Sequence, residues 1–171
     1  MIRMYPIGYV ESEYTDPKKL KIACKEGTKF AGESSVVLYE ENVDMLEGLE
    51  QFSHAWILFH LHKADDRVEP VTHPGAGEMK LPQKGRSTAS YPGRRRMPLV
   101  GVFASRSQYR PNHIALRLVR ISEIKGNRMK VIGLDAVNDS PVLDIKPFVP
   151  HFDVADEPKV ASWYEGWQDG R

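Results

Sequence analysis

Apolar residues along this chain fall in short runs, several of them with period two, separated by stretches rich in Gly, Pro and charge. That period puts successive side chains on opposite faces of a strand. Tyr5 to Glu13 reads as a first strand, with Ile7 and Tyr9 alternating against Gly8 and Val10, and Ser35 to Tyr39 as a second. Between them Asp16 to Gly32 is polar and reads as a long loop. Asn42 fits as the cap of a short helix in which Val43 and Leu46 share a face and Gly48 ends the turn. In His54 to His62 a strand would place Ala55, Ile57, Phe59 and Leu61 on one face and His54, Trp56, Leu58, His60 and His62 on the other. The first face is plain core, and the second suits a pocket or an interface.

Val100, Val102 and Phe103 suit a further buried pleated segment, and Leu116 and Leu118 restart the alternation in a strand running to Ile124. Met129 to Val137 follows across Lys125-Gly126-Asn127-Arg128, a tetrapeptide that tolerates the positive φ of a tight hairpin. In Asp139 to Pro147 two prolines leave little room for helix, and Val142, Leu143 and Ile145 suit burial beside Asp144 and Lys146. From Glu157 the pattern turns helical: Pro158 fits the first turn, and Val160, Trp163, Tyr164 and Trp167 fall at i, i+3, i+4 and i+7. Docking of that aromatic stripe on the barrel or on another chain explains it better than base stacking. The expected fold is mostly β: a small antiparallel β-barrel of about six or seven strands, with a long polar insertion and a C-terminal helix. Residues 1–150 form the barrel domain, with an insertion at about 64–98 marked by Pro70, Pro74, Pro82, Pro92 and Pro98. Residues 151–171 form a helical extension.

A length of 171 residues suits one domain, or a main domain with an appendage. The longest apolar stretch, Ala55 to Leu61, is far below the ~20 residues of a bilayer crossing, and the N-terminus lacks the apolar core of a signal peptide. No membrane association is expected, and a cytoplasmic location is. The single cysteine, Cys24, lies in a Lys-rich stretch and excludes an intramolecular disulfide and a Cys-based zinc site. The histidines of His54 to His62 have no carboxylate or thiol spaced to complete a metal set, so no metal is expected. The net charge of +1 hides a segregation: between Lys84 and Lys130, 12 Lys or Arg stand against one acidic residue, Glu123. That basic middle on an acidic body suits a polyanion, with Arg94, Arg95 and Arg96 as candidate phosphate contacts; pairing with the acidic parts is the plain alternative.

Candidate chemistry gathers in Gly101 to Val119, GVFASRSQYRPNHIALRLV. Ser105, Arg106, Ser107, Arg110 and Asn112 collect at one strand end, and two guanidinium forks beside an amide suit an anionic or carboxylate-bearing ligand. A solvated connecting loop is the plain alternative. Asp144, among apolar residues, needs a partner such as Arg106 or Arg110. Gly75-Ala76-Gly77 is no dinucleotide loop, since no strand precedes it and no helix follows, and composition and spacing alone do not point to S-adenosylmethionine.

Three motifs do, through resemblance. FSHAWILFxLH at Phe52 to His62, GVFASRSxxRPN and DSPVLDIKP at Asp139 to Pro147 occur in the order found in the TrmO (YaeB, VirR, TsaA-like) family of S-adenosylmethionine-dependent tRNA methyltransferases, which the chain resembles from about Tyr5 through Pro150. The resemblance implies a small homodimeric barrel that methylates N6 of N6-threonylcarbamoyladenosine beside the anticodon of tRNA. It implies cofactor contacts at His62, Lys63, Ser105, Arg106, Ala115, Gly133, Leu134 and Asp135, and an acceptor site shaped by Arg110, Asn112, Asp144 and Lys146. Departures stand at His113, Ala115 and Arg117, where the family reads RPNPIGxS, and at Asn138, Asp139, Ser140 and Phe148, where it reads DGTPVxDIKPY. Those at His113, Ala115 and Asn138 keep open a methyltransferase acting on another RNA or small substrate, and a non-catalytic RNA-binding barrel is the remaining alternative.

Overall fold

The computed structural model describes residues 3–26, 30–64, 86–87, 100–104, 106 and 108–161. The chain divides into two compact units, residues 1–63 with 114–154, and residues 64–113 with 155–171. The first is a closed antiparallel barrel of six strands. These are β1 (Gly8–Glu11), β2 (Glu33–Leu38), β3 (His54–His60), β6 (Ile114–Lys125), β7 (Arg128–Ile132) and β8 (Pro141–Pro147), arranged β1-β2-β7-β6-β3-β8 and back to β1. Helix α1 (Pro17–Glu26) joins β1 to β2, two 3-10 turns (Glu40–Leu46 and Leu49–Gln51) join β2 to β3, and a single helical turn, α2 (Pro150–Asp153), follows β8. In the second unit a two-residue strand pair, β4 (Arg86–Ser87) with β5 (Val100–Gly101), leads into a 3-10 turn at Val102–Ala104.

Period-two burial builds the barrel interior. Ala55, Ile57 and Phe59 are buried, while His54, Trp56, Leu58 and His60 face outward at intermediate exposure, as the sequence pattern requires. The core is completed by Val10 and Val36, by Met129 and Val131, and by Val119 and Val142. Two bulges, between Leu58 and Phe59 and between Ile121 and Glu123, reset the register where the wall turns. Gly126 (φ 57°) makes the expected hairpin between β6 and β7, and Gly48 (φ 86°) separates the two 3-10 turns. Gly8 serves a different need, because a Cβ on it would lie 2.2 Å from the Val37 carbonyl oxygen of the paired strand.

Several expectations are corrected. The loop expected over Asp16 to Gly32 contains α1: Pro17 opens it, the Asp16 carboxylate accepts from the Lys18 N–H at 2.8 Å, and Leu20 packs with Phe30 and Val137 in a small second core. Asn42 caps nothing; its amide donates to the Ile7 carbonyl (3.2 Å), and the turn begins at Glu40. Leu116 and Leu118 are not the inward residues of β6. Opposite buried Phe59, Ile57 and Ala55 stand Ala115, Arg117 and Val119, so the more apolar leucines face out, Leu116 being 44% exposed. Phe103 is exposed rather than buried, in the 3-10 turn after β5. The strand expected to reach Val137 ends at Ile132, where Gly133 turns away with φ 95°. Of the expected C-terminal helix, residues 157–161 are exposed and not helical, and Trp163, Tyr164 and Trp167 lie outside the described residues, as do Arg94, Arg95 and Arg96.

Because the Gly8 clash is with backbone, Gly8→Ala should cost about 2 kcal/mol of barrel stability by forcing β1 and β2 apart. Urea unfolding of the full chain measures it, and a variant as stable as the parent would show that the two strands have room there.

Candidate functional site

The antiparallel topology gathers at one end of the barrel the exits of β1, β3 and β7 and the entries of β2, β6 and β8. Six of the eight cofactor residues implied by resemblance lie there. His62 and Lys63 follow β3, Ala115 is the second residue of β6, and Gly133, Leu134 and Asp135 follow β7. Ala115 faces inward opposite Phe59. Leu134 is fully buried and part of the core, so a ligand at this segment would meet its backbone rather than its side chain. The Gly133 N–H donates to the Gly32 carbonyl at 3.0 Å, and its own carbonyl accepts from Arg117 Nε at 2.8 Å. The Arg117 guanidinium also lies 3.5 Å from the Asp135 carboxylate.

The neighbouring segments are tied by backbone bonds. The Ser12 N–H donates to the Asn138 side-chain oxygen (3.0 Å), the Asn138 N–H to the Tyr14 carbonyl (2.8 Å) and the Asp139 N–H to the Val10 carbonyl (2.8 Å). Lys63 Nζ donates to the Thr15 carbonyl at 2.8 Å. His62 Nδ1 is buried without a hydrogen-bond partner, and burial, followed by the Lys63 and His60 charges, holds its imidazole below the usual range and therefore neutral. Cys24, on α1, is pushed up to about 11, first by burial and then by Asp135, with Arg117 pulling the other way. It is a protonated, inert thiol at neutral pH. An open groove at this end is bordered by Glu11, Glu13, Glu33 and Asp139, of which Glu11 is paired with Arg128, and none of the cofactor residues implied by resemblance lines it.

Of the four acceptor residues implied by resemblance, two lie on the barrel and two in the second unit. Asp144 and Lys146 face outward from the barrel wall, opposite Leu58 and Trp56, and pair with each other at 2.8 Å. That bond raises the lysine pKa, and the Asp144 carboxylate also accepts from the Ile145 N–H at 2.9 Å. Asp144 borders a cavity of about 510 Å³ with Leu38, Met45, Leu49, Phe52 and Pro147. Arg110 and Asn112 belong to the second unit, in a turn closed by the His113 N–H on the Arg110 carbonyl (3.2 Å). Arg110 Nη1 donates to the Val102 carbonyl at 3.3 Å, and its guanidinium stands 5.8 Å from the centre of the Phe103 ring, which is 79% exposed. Arg106 is exposed in the same unit, and Ser105 lies outside the described residues. Among the described residues no cluster of three or more His, Cys, Asp or Glu is placed to hold a metal, and no helix is long and apolar enough to cross a membrane.

Arg117 and the setting of Cys24 were not legible in the sequence. The available signal was the single charge between Leu116 and Leu118, in a strand whose leucines are the better core candidates.

These features define a closed six-stranded antiparallel barrel that gathers six of the residues implied by resemblance at one end. The model of the tRNA-methyltransferase O N-terminal domain matches residues 9–154, and the chain belongs to that family. It is 33% identical over 168 residues to a probable S-adenosyl-L-methionine-binding protein of Pyrococcus abyssi, covering 96% of this chain and 77% of that protein. It is 33% identical to the rat tRNA (adenine(37)-N6)-methyltransferase over 86% of this chain, but spans only 31% of the rat protein. A crystal structure of TrmO from Pseudomonas aeruginosa superimposes with a TM-score of 0.64 at 29% identity, over 93% of this chain and 61% of that one.

Since the His62 imidazole titrates below its ordinary value of 6.5, the unfolded chain takes up its proton first. Stability should therefore fall as pH drops below about 6.5 and be insensitive to this group above it. Urea midpoints at pH 7.5 and 5.5 should differ less for His62→Gln than for the parent, and an equal difference in both would assign the acid loss to other groups.

Proposed function

We propose that this chain is an S-adenosylmethionine-dependent tRNA methyltransferase that methylates N6 of the modified adenosine beside the anticodon, with N6-threonylcarbamoyladenosine as the acceptor. The observation that carries this reading is the convergence of His62, Lys63, Ala115 and Gly133 to Asp135 at one barrel end in a chain whose residues 9–154 match the family. The donor set fits the cofactor: a neutral imidazole with an unpartnered buried nitrogen, a half-buried carboxylate at Asp135 and the Gly133 turn supply acceptors and backbone groups for an amino acid and a nucleoside.

S-adenosylmethionine, when bound, supplies an electrophilic sulfonium methyl that needs no activation by the protein. The residues then have to hold the acceptor nitrogen in line with the methyl–sulfur axis and exclude water. Arg106, with Ser105, completes the cofactor contacts, while Arg110, Asn112, Asp144 and Lys146 orient the acceptor. Arg94, Arg95 and Arg96 hold phosphates without reading bases. The reaction takes place in the cytoplasm on a symmetric homodimer, whose interface is the outward face of β3 and β6 carrying Trp56, Leu58, Leu116 and Leu118.

One observation favours a second reading, a methyltransferase with a different acceptor. His113 has φ 48°, a conformation closed to the proline found at that place in the family pattern, so the turn carrying Arg110 and Asn112 takes a path that a proline forbids. Mass spectrometry of nucleosides from tRNA incubated with the protein and labelled cofactor separates the two. Label on threonylcarbamoyladenosine supports the first, label on another nucleoside the second, and cofactor uptake without label in RNA would remove both as stated.

Arg106→Ala should lower S-adenosylmethionine affinity at least about tenfold with an unchanged melting temperature, since a charge-assisted bond is lost. Calorimetry giving equal affinities would remove Arg106 from the site. Light scattering at micromolar concentration should give twice 19.4 kDa, and an active monomer would refute the interface.

A further inference from the structure

Arg117 is a charged side chain on the inward face of a barrel strand, directly opposite the fully buried Ile57. A guanidinium in that position needs partners. Both lie in the segment after β7: the Gly133 carbonyl at 2.8 Å from Nε and the Asp135 carboxylate at 3.5 Å from Nη1. The β6–β7 ladder ends at the pair Arg120 and Ile132. Past that pair the segment is held by the Gly133 N–H on Gly32, by the buried Leu134 side chain, and by Arg117. β6 has 12 residues and β7 only 5, so Arg117 spans with a side chain the opening where the shorter strand has stopped.

We propose that Arg117 is a positioning residue that fixes the Gly133 carbonyl and the Asp135 carboxylate in the orientation in which this segment receives S-adenosylmethionine. The proposal rests on the cofactor reading of residues 133–135 given above. The family pattern has serine at this place, so the resemblance does not supply the role. A serine hydroxyl is too short to reach both groups, whereas the planar guanidinium fork contacts a carbonyl and a carboxylate at once, and an ammonium cannot reproduce that geometry.

Cys24 provides a readout that needs no ligand. It is the chain's single cysteine, and after burial its thiol is pushed up by Asp135 and drawn down by Arg117. The pH profile of Cys24 alkylation by iodoacetamide, in the full chain without cofactor, should shift to higher pH in Arg117→Ala and to lower pH in Asp135→Asn. In calorimetry with S-adenosylmethionine, Arg117→Ala should bind about tenfold more weakly than the parent, and Arg117→Lys should recover only part of that loss. Turnover of tRNA at saturating cofactor should fall less than affinity does. If Arg117→Ala does not fold, Arg117→Gln, which also removes the charge, and Asp135→Asn carry the same two readouts. Alkylation profiles unmoved in every variant would overturn the contact itself. Shifted profiles with unchanged cofactor affinity would reduce Arg117 to a structural tie. A parent that takes up no S-adenosylmethionine would sink the functional reading and the positioning role together, with the alkylation profiles still reporting whether the tie exists.

Discussion

Closure of the sheet through β1 is the constraint on which the rest of this structure depends. β1 has four residues, yet it pairs with β2 along its whole length and with β8 at Gly8 and Tyr9. Bonds from the Ile7 N–H to Val142, from the Val10 N–H to Ser140 and from the Asp139 N–H to Val10 extend the second contact past the ladder. A closed sheet has no edge to protect and seals its interior on all sides, so Val10, Val36 and Val142 can be wholly buried where three strands meet. The site hangs from the same closure. Ser12, Tyr14 and Thr15, just beyond β1, hold Asn138 and Lys63. Releasing β1 would therefore free one rim of the barrel end along with two of its strand edges.

How far such a structure can be read from its sequence depends on whether the most apolar residues are also the buried ones. In β3 they are: Ala55, Ile57 and Phe59 repeat with period two and all lie in the core. In β6 they are not. Leu116 and Leu118 outrank Ala115 and Arg117 on any apolar scale, so the pattern selects the wrong face, and a shift of one residue inverts every side chain of the strand. α1 was hidden for a related reason. Lys18, Lys19 and Lys21 dominate its composition, and its anchoring depends on Leu20 meeting Phe30 and, from a distant part of the chain, Val137. The candidate site was legible only through resemblance. His62, Ala115 and Gly133 are far apart in sequence, and only the antiparallel order of β3, β6 and β7 brings their strand ends together.

The outer wall of the barrel is divided. On the β1, β2 and β7 side, Arg128 holds Glu11 with both guanidinium nitrogens across β2, and Lys130 pairs with Glu123 at 2.7 Å. Exposed pairs of this kind add little stability. They do set a charged, well-solvated surface above Val37. On the β3 and β6 side the corresponding positions are Trp56, Leu58, Leu116 and Leu118, with Phe148 set edge-on to both His54 and Trp56. Salt and water suffice for the first half, whereas the second gains from being covered, which is the physical support for the proposed pairing of two chains.

Charge is divided in the same spirit. Arg86, Arg94, Arg95, Arg96, Arg106 and Arg110 all fall between residues 64 and 113, in the second unit, while Glu11, Glu13, Glu33 and Asp139 border the barrel-end groove. A phosphate backbone is attracted to the first set and repelled by the second. In the proposed reaction the methyl donor is a sulfonium cation and the acceptor a polyanion, two ligands that call for opposite charges. At the barrel end the Arg117 guanidinium is committed to Gly133 and Asp135, and the Lys63 ammonium to the Thr15 carbonyl.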